Sequence, residues 1–141
     1  MLKDQMKLVG KLSIAINNKV VQEINNLVVT TGKNFVASRI KDATSNAMSH
    51  MAIGTGSTSP AAGDTTLGTE TARVALTSTT VTNADVAYVA SFGAGTGTGA
   101  ITEAGLFNSS SAGTLFCRTT FSVVNKGADD SMTITWTVTV S

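Results

Sequence analysis

Met132-Thr133-Ile134-Thr135-Trp136-Thr137-Val138-Thr139-Val140 alternates an apolar side chain with threonine over nine residues. A period of two is the period of an extended chain, so this run reads as a β-strand with one apolar and one hydroxylated face. Threonine suits the second face: its branched Cβ is stiff in the extended form, and its hydroxyl accepts either water or a protein partner. Just upstream, Asn125-Lys126-Gly127-Ala128-Asp129-Asp130 has the composition of a turn. It links back to a strand near Leu115 to Val124, entered from the Ser109-Ser110-Ser111-Ala112-Gly113 loop.

The same alternation recurs further towards the N-terminus. Arg73 to Thr82 alternates through Val74 and Leu76, and after Asn83-Ala84-Asp85 it resumes through Val86, Tyr88, Ala90 and Phe92, a pattern for an antiparallel hairpin. Ile101 to Phe107 makes another strand after the Gly93 to Gly99 loop, and Leu8 to Ile16, Val20 to Val29 and Met48 to Ile53 complete the set. Seven or eight closely spaced strands predict a mainly β chain, an antiparallel β-sandwich of jelly-roll-like character. Thr31 to Asp42 breaks the pattern and gathers Phe35, Val36 and Ile40 on one side of a helical wheel, predicting one short helix over about residues 31–42 that caps an open end of the sandwich. The expected core is Phe35, Ile40, Val74, Leu76, Tyr88, Phe92, Leu106, Phe116, Ile134, Trp136 and Val138.

A chain of 141 residues fits a single domain, residues 1–141, here with an extended N-terminal segment over about residues 1–10. With 42% hydrophobic and 13% charged residues it is too apolar for a disordered tail, although Ser and Thr make up about a quarter of it. A formal charge of +1, with Lys3, Lys7, Lys11 and Lys19 interleaved with Asp4 and Glu23, gives no phosphate-binding track, so nucleic acid is not an expected partner. No stretch approaches the roughly 18 apolar residues of a membrane span, and Met1 to Gly10 lacks the apolar region of a signal peptide. Cys117 stands alone, so no intrachain disulfide is expected and the thiol belongs in the core.

Chemistry has little to work with. Nucleophilic catalysis needs an activated nucleophile beside a base held by a third group, and the one histidine, His50, sits between Ser49 and Met51 without a nucleophile elbow. One His and one Cys cannot supply a usual zinc set, and Asp129-Asp130 lacks the spaced ladder of a calcium loop. Gly54-Thr55-Gly56-Ser57 and Gly93-Ala94-Gly95-Thr96-Gly97-Thr98-Gly99 lack the Gly-Lys-Ser/Thr or βαβ context of phosphate cradles. The acids Asp64, Glu70, Glu103, Asp129 and Asp130 are scattered rather than paired as glycoside hydrolysis requires. No catalytic, cofactor-binding or metal-ligating residue is expected. What is left is a weakly charged surface rich in Thr, Ser and Asn, suited to flat contacts with other proteins and to homo-oligomers.

Three stretches carry a family likeness: Met48-Ser49-His50-Met51-Ala52-Ile53-Gly54-Thr55-Gly56 followed by Pro60-Ala61-Ala62-Gly63-Asp64-Thr65-Thr66-Leu67-Gly68; Ala100-Ile101-Thr102-Glu103-Ala104-Gly105-Leu106-Phe107-Asn108; and Val124-Asn125-Lys126-Gly127 with the threonine-alternating end. Across Val20 to Ser141 the chain resembles the small virion structural proteins of tailed bacteriophages, of the decoration, cement or tail-fibre kind. The resemblance implies a capsid decoration protein that is made in the host cytoplasm, docks on the outside of the head as a dimer or trimer and binds the major capsid protein. A tail-fibre, collar or baseplate adaptor that binds tail or fibre proteins is the alternative, and a protein that binds or hydrolyses cell-surface glycans is a third reading. Long loops of sandwiches often carry function, so the expected contact surface is Ile53, Gly54, Thr55, Gly56, Pro60, Asp64 and Leu67, together with Gly95, Thr96, Gly97 and the N-terminal arm.

Overall fold

The computed structural model describes residues 6–141. Its ten strands are β1 (Leu8–Ile16), β2 (Lys19–Asn25), β3 (Leu27–Val28), β4 (His50–Gly54), β5 (Glu70–Ala75), β6 (Ser78–Thr82), β7 (Asp85–Phe92), β8 (Gly99–Phe107), β9 (Leu115–Lys126) and β10 (Met132–Val140), with one helix, α1 (Thr30–Lys41). They form two five-stranded antiparallel sheets, one ordered β2-β1-β10-β7-β6 and the other β3-β9-β8-β4-β5, packed as a β-sandwich.

The threonine-alternating run is the middle strand of the first sheet, where its apolar residues face inward and its threonines outward. Trp136 is fully buried, flanked across the ladder by Leu12 of β1 and Tyr88 of β7. Ile134, Val138, Phe92, Ile53, Leu106 and Phe116 belong to the same core. The indole N–H of Trp136 finds no hydrogen-bond partner among the described residues, so this ring serves by filling volume.

Two stretches read as single strands are each divided between sheets. Val20 to Val29 breaks at Asn26: β2 stays on the first sheet while β3 pairs with β9 on the second. Arg73 to Thr82 breaks at Leu76-Thr77, with β5 paired to β4 and β6 paired to β7. Val74 and Leu76 at this crossing are only partly buried, packed against the edge of the core. The expected hairpin survives in shorter form, β6 and β7 joined at Asn83-Ala84, with a positive φ of 54° at Asn83.

Helix α1 lies against β9, with Phe35 and Phe116 rings 5.6 Å apart, and Phe35 and Val36 reach the core. Gly32 is required at this crossing, because a Cβ there would strike the Phe116 backbone carbonyl. The assignment of Ile40 to the core is corrected: it is 75% exposed, one turn beyond Val36 on a helix whose buried stripe is too narrow to include it. Of the N-terminal segment, Leu8 opens β1 and the Lys7 N–H donates to the Ser141 carbonyl at 2.8 Å. Residues 1–5 of that arm lie outside the described residues.

Candidate functional site

The sequence Ile101-Thr102-Glu103-Ala104-Gly105-Leu106-Phe107 sits in the interior of the second sheet with both faces covered. Ile101, Ala104 and Leu106 point into the main core, after a register shift between Ile101 and Glu103. The opposite face is closed by a smaller apolar cluster of Val29, Ala52, Leu67, Phe107 and Leu115. Leu67 reaches it from the 55–69 loop and packs over Gly105, where a Cβ would press on the Leu67 and Leu115 side chains.

A buried ionic anchor fixes that loop. Glu103 is 0% exposed, and its carboxylate accepts N–H donors from Gly56 (2.8 Å), Gly68 (2.7 Å) and Thr69 (2.6 Å). Arg118 is 2% exposed and donates to Glu103 Oε1 (3.0 Å), Asp64 Oδ2 (2.8 Å) and the Thr58 carbonyl (2.9 Å). One carboxylate and one guanidinium thus hold both ends and the middle of the loop. Gly56 leaves room for the carboxylate, which a Cβ at that position would strike.

Burial on its own would raise the Glu103 carboxyl, but the N–H groups of Thr69 and Gly68, the Arg118 guanidinium and the Gly56 N–H outweigh it and hold the group below its usual range. Asp64 follows the same pattern: burial raises it, while the Ala61 N–H and the Arg118 charge bring it down. Beside Arg118 an open cleft of about 300 Å³ is lined by Thr58, Asp64, Thr66, Leu67, Gly68 and Arg118. Its cation is already matched by two carboxylates.

Ile53, Gly54, Gly56 and Leu67, expected on a contact surface, are buried within the chain itself, a correction with a clear cause. The long loop folds down over the second sheet instead of projecting from it. Asp64 is half-buried and engaged by Arg118, while Thr55 is exposed and Pro60 half-buried. Gly95 is exposed, but Thr96 and Gly97 are half-buried in a loop held by the Lys126 ammonium, which donates to the Gly93 carbonyl at 2.8 Å, and by the Gly95 N–H donating to Ala128. Gly97 adopts a φ of 68° and packs against Ile53 and Ala72.

The Ser49 hydroxyl lies 2.8 Å from His50 Nδ1, a contact between chain neighbours, and no third group among the described residues orients the ring from its other nitrogen. Burial pushes the Cys117 thiol up, away from thiolate character. No group of three or more His, Cys, Asp or Glu among the described residues is placed to hold a metal ion. No helix among them is long and apolar enough to cross a membrane.

An apolar opening lies where α1 half-closes one end of the sandwich. It measures about 320 Å³ and is lined by Leu8, Phe35, Val36, Arg39, Ala47, Met48, Thr79, Val81, Val86, Tyr88, Phe116, Val138 and Val140. Burial pushes the Tyr88 hydroxyl up to about 12, so it stays neutral in this groove. Sequence reading could not find the anchor, because nothing in the strands that carry Glu103 and Arg118 shows which loop covers their second face. Comparison with protein-family models, with curated proteins and with solved structures finds no match to this chain.

Proposed function

We propose that this chain is a virion structural protein of a tailed bacteriophage, a capsid decoration protein that binds the outside of the head and strengthens contacts between major capsid protein subunits. The observation that supports this reading is the convergence of the first two likeness-bearing stretches on one structural anchor. Gly56 and Gly68 donate to Glu103, and Asp64 pairs with Arg118, so the polar residues of those stretches are spent on holding a loop. They are words of a building block. On the other sheet, the outer face sets Thr133, Thr135 and Thr137 beside Ala15, Ser13, Ala87 and Val89, with Lys11 next to Thr137 and paired to Glu23 at 3.5 Å.

Such a module works by linkage. A protein that binds the assembled shell but not the free subunits stabilises the shell by mass action, about 2.7 kcal/mol per site at a hundredfold excess over Kd. Many modest contacts then add up against internal pressure. The copy number in purified virions, read by stained gel or quantitative mass spectrometry, tests the proposal. Hundreds of copies per particle are expected, whereas a handful would move the chain to the tail and none would refute a virion role.

A further inference from the structure

The geometry points to β6 as a self-pairing edge through which two copies of this chain join into one continuous ten-stranded sheet around a two-fold axis. This deepens the building-block reading proposed above, but it rests on the free edge alone and not on the capsid placement.

Four strand edges terminate the two sheets, and three of them are guarded. β2 carries Lys19 and Glu23 and is distorted by a register shift opposite Ile14/Ala15. β3 is two residues long. β5 carries Glu70 and Arg73, bridged to each other at 2.7 Å. Charges, bulges and short length are the usual protections of an edge against pairing with another chain. β6, Ser78-Thr79-Thr80-Val81-Thr82, has none of them: no charge, no proline, and all five residues exposed.

The hairpin fixes which backbone groups are free. Its Thr82↔Asp85 pair closes across two residues, so Thr82, Thr80 and Ser78 carry the ladder to β7. By that alternation the N–H and C=O of Thr79 and Val81 point away from β7, towards the open edge. An antiparallel two-fold centred on Thr80 sets Thr79 opposite Val81 of the second copy, and Val81 opposite its Thr79. Both are full hydrogen-bonded pairs, so every outward group of the strand is satisfied at once.

The side chains favour the same occupant. Thr79 and Val81 lie on the inner face with Tyr88 and Val86, at the mouth of the apolar groove, and Val81 is 69% exposed there. In the two-fold arrangement each Val81 packs beside Thr79 of the other copy, and the two apolar grooves become continuous. An uncharged strand meets its own copy without repulsion.

Thr80 would face its own counterpart in a non-hydrogen-bonded pair, where Cα atoms come within about 4.5 Å, inside the range a disulfide spans. The test uses the full chain in sedimentation and light scattering over a concentration series. The wild type is expected at twice the chain mass, V81K as a monomer that keeps the wild-type circular dichroism spectrum and a cooperative melt, and V20K on the opposite edge as a dimer. T80C is expected to form an interchain disulfide on mild oxidation, with buried Cys117 uninvolved. A wild type that stays monomeric, a V81K that still dimerises, or a T80C that fails to cross-link would overturn the proposal. Virion copy number is scored separately, so a dimer absent from virions would sink the capsid reading and leave the β6 pairing standing.

Discussion

Replacing Glu103 by glutamine tests the anchor with no change of shape. Oε2 accepts from Gly56 and Thr69, while Oε1 accepts from Gly68 and Arg118. Whichever oxygen becomes an amide nitrogen, a donor then confronts two donors, and Arg118 loses its buried counter-charge while keeping Asp64. Breaking a buried pair by removing one partner costs about 3–5 kcal/mol, because the remaining charge is left uncompensated. For a chain of 141 residues the unfolding entropy corresponds to a drop in Tm of about 10–17 °C. Circular dichroism melts measure this directly, and limited proteolysis should show new cleavage between residues 57 and 66 as the loop is released. The double variant E103Q/R118M should cost less than the sum of the two single variants by more than about 1 kcal/mol, since contacting charges couple. An E103Q melt within about 3 °C of wild type, with an uncut loop, would show that the anchor is not what holds the second sheet's cover in place.

Acid should act through the same groups. Glu103 and Asp64 titrate below their ordinary values of 4.5 and 3.8 in the folded chain, so the unfolded chain binds more protons as pH falls. Their stabilisation is complete above about pH 5 and is lost as pH drops through the depressed values, so Tm should be level from neutrality to there and then fall. E103Q should flatten that fall, and a wild-type melt unchanged down to about pH 3 would contradict the assignment. Trp136→Ala should cost about 3–5 kcal/mol, a large share of a marginal total, and a retained melting temperature would deny the ring its place at the centre of the core. Ile40→Glu should change stability by less than about 0.5 kcal/mol because the side chain is already in water, and a large loss on denaturant titration would restore it to the core.

Legible from the residues were the strands with a clean period of two, β10 above all, and with them the sandwich, the burial of Trp136, Ile134 and Phe92, and the short helix. Periodicity reports which face of a strand is apolar, and a face that is apolar must be buried whatever covers it. It does not report the covering element. The tertiary structure alone decided that Leu76-Thr77 and Asn26 carry the chain from one sheet to the other, because a crossing residue is as extended as its neighbours. It alone decided that the 55–69 loop lies down on the second sheet, because Glu103, Arg118 and Asp64 are far apart in sequence and only folding puts one carboxylate within reach of three loop N–H groups. Residues that looked like an exposed contact loop, Ile53, Gly54, Gly56 and Leu67, became interior for that reason. The unguarded edge of β6 was hidden in the same way, since an edge is a property of the neighbour a strand lacks.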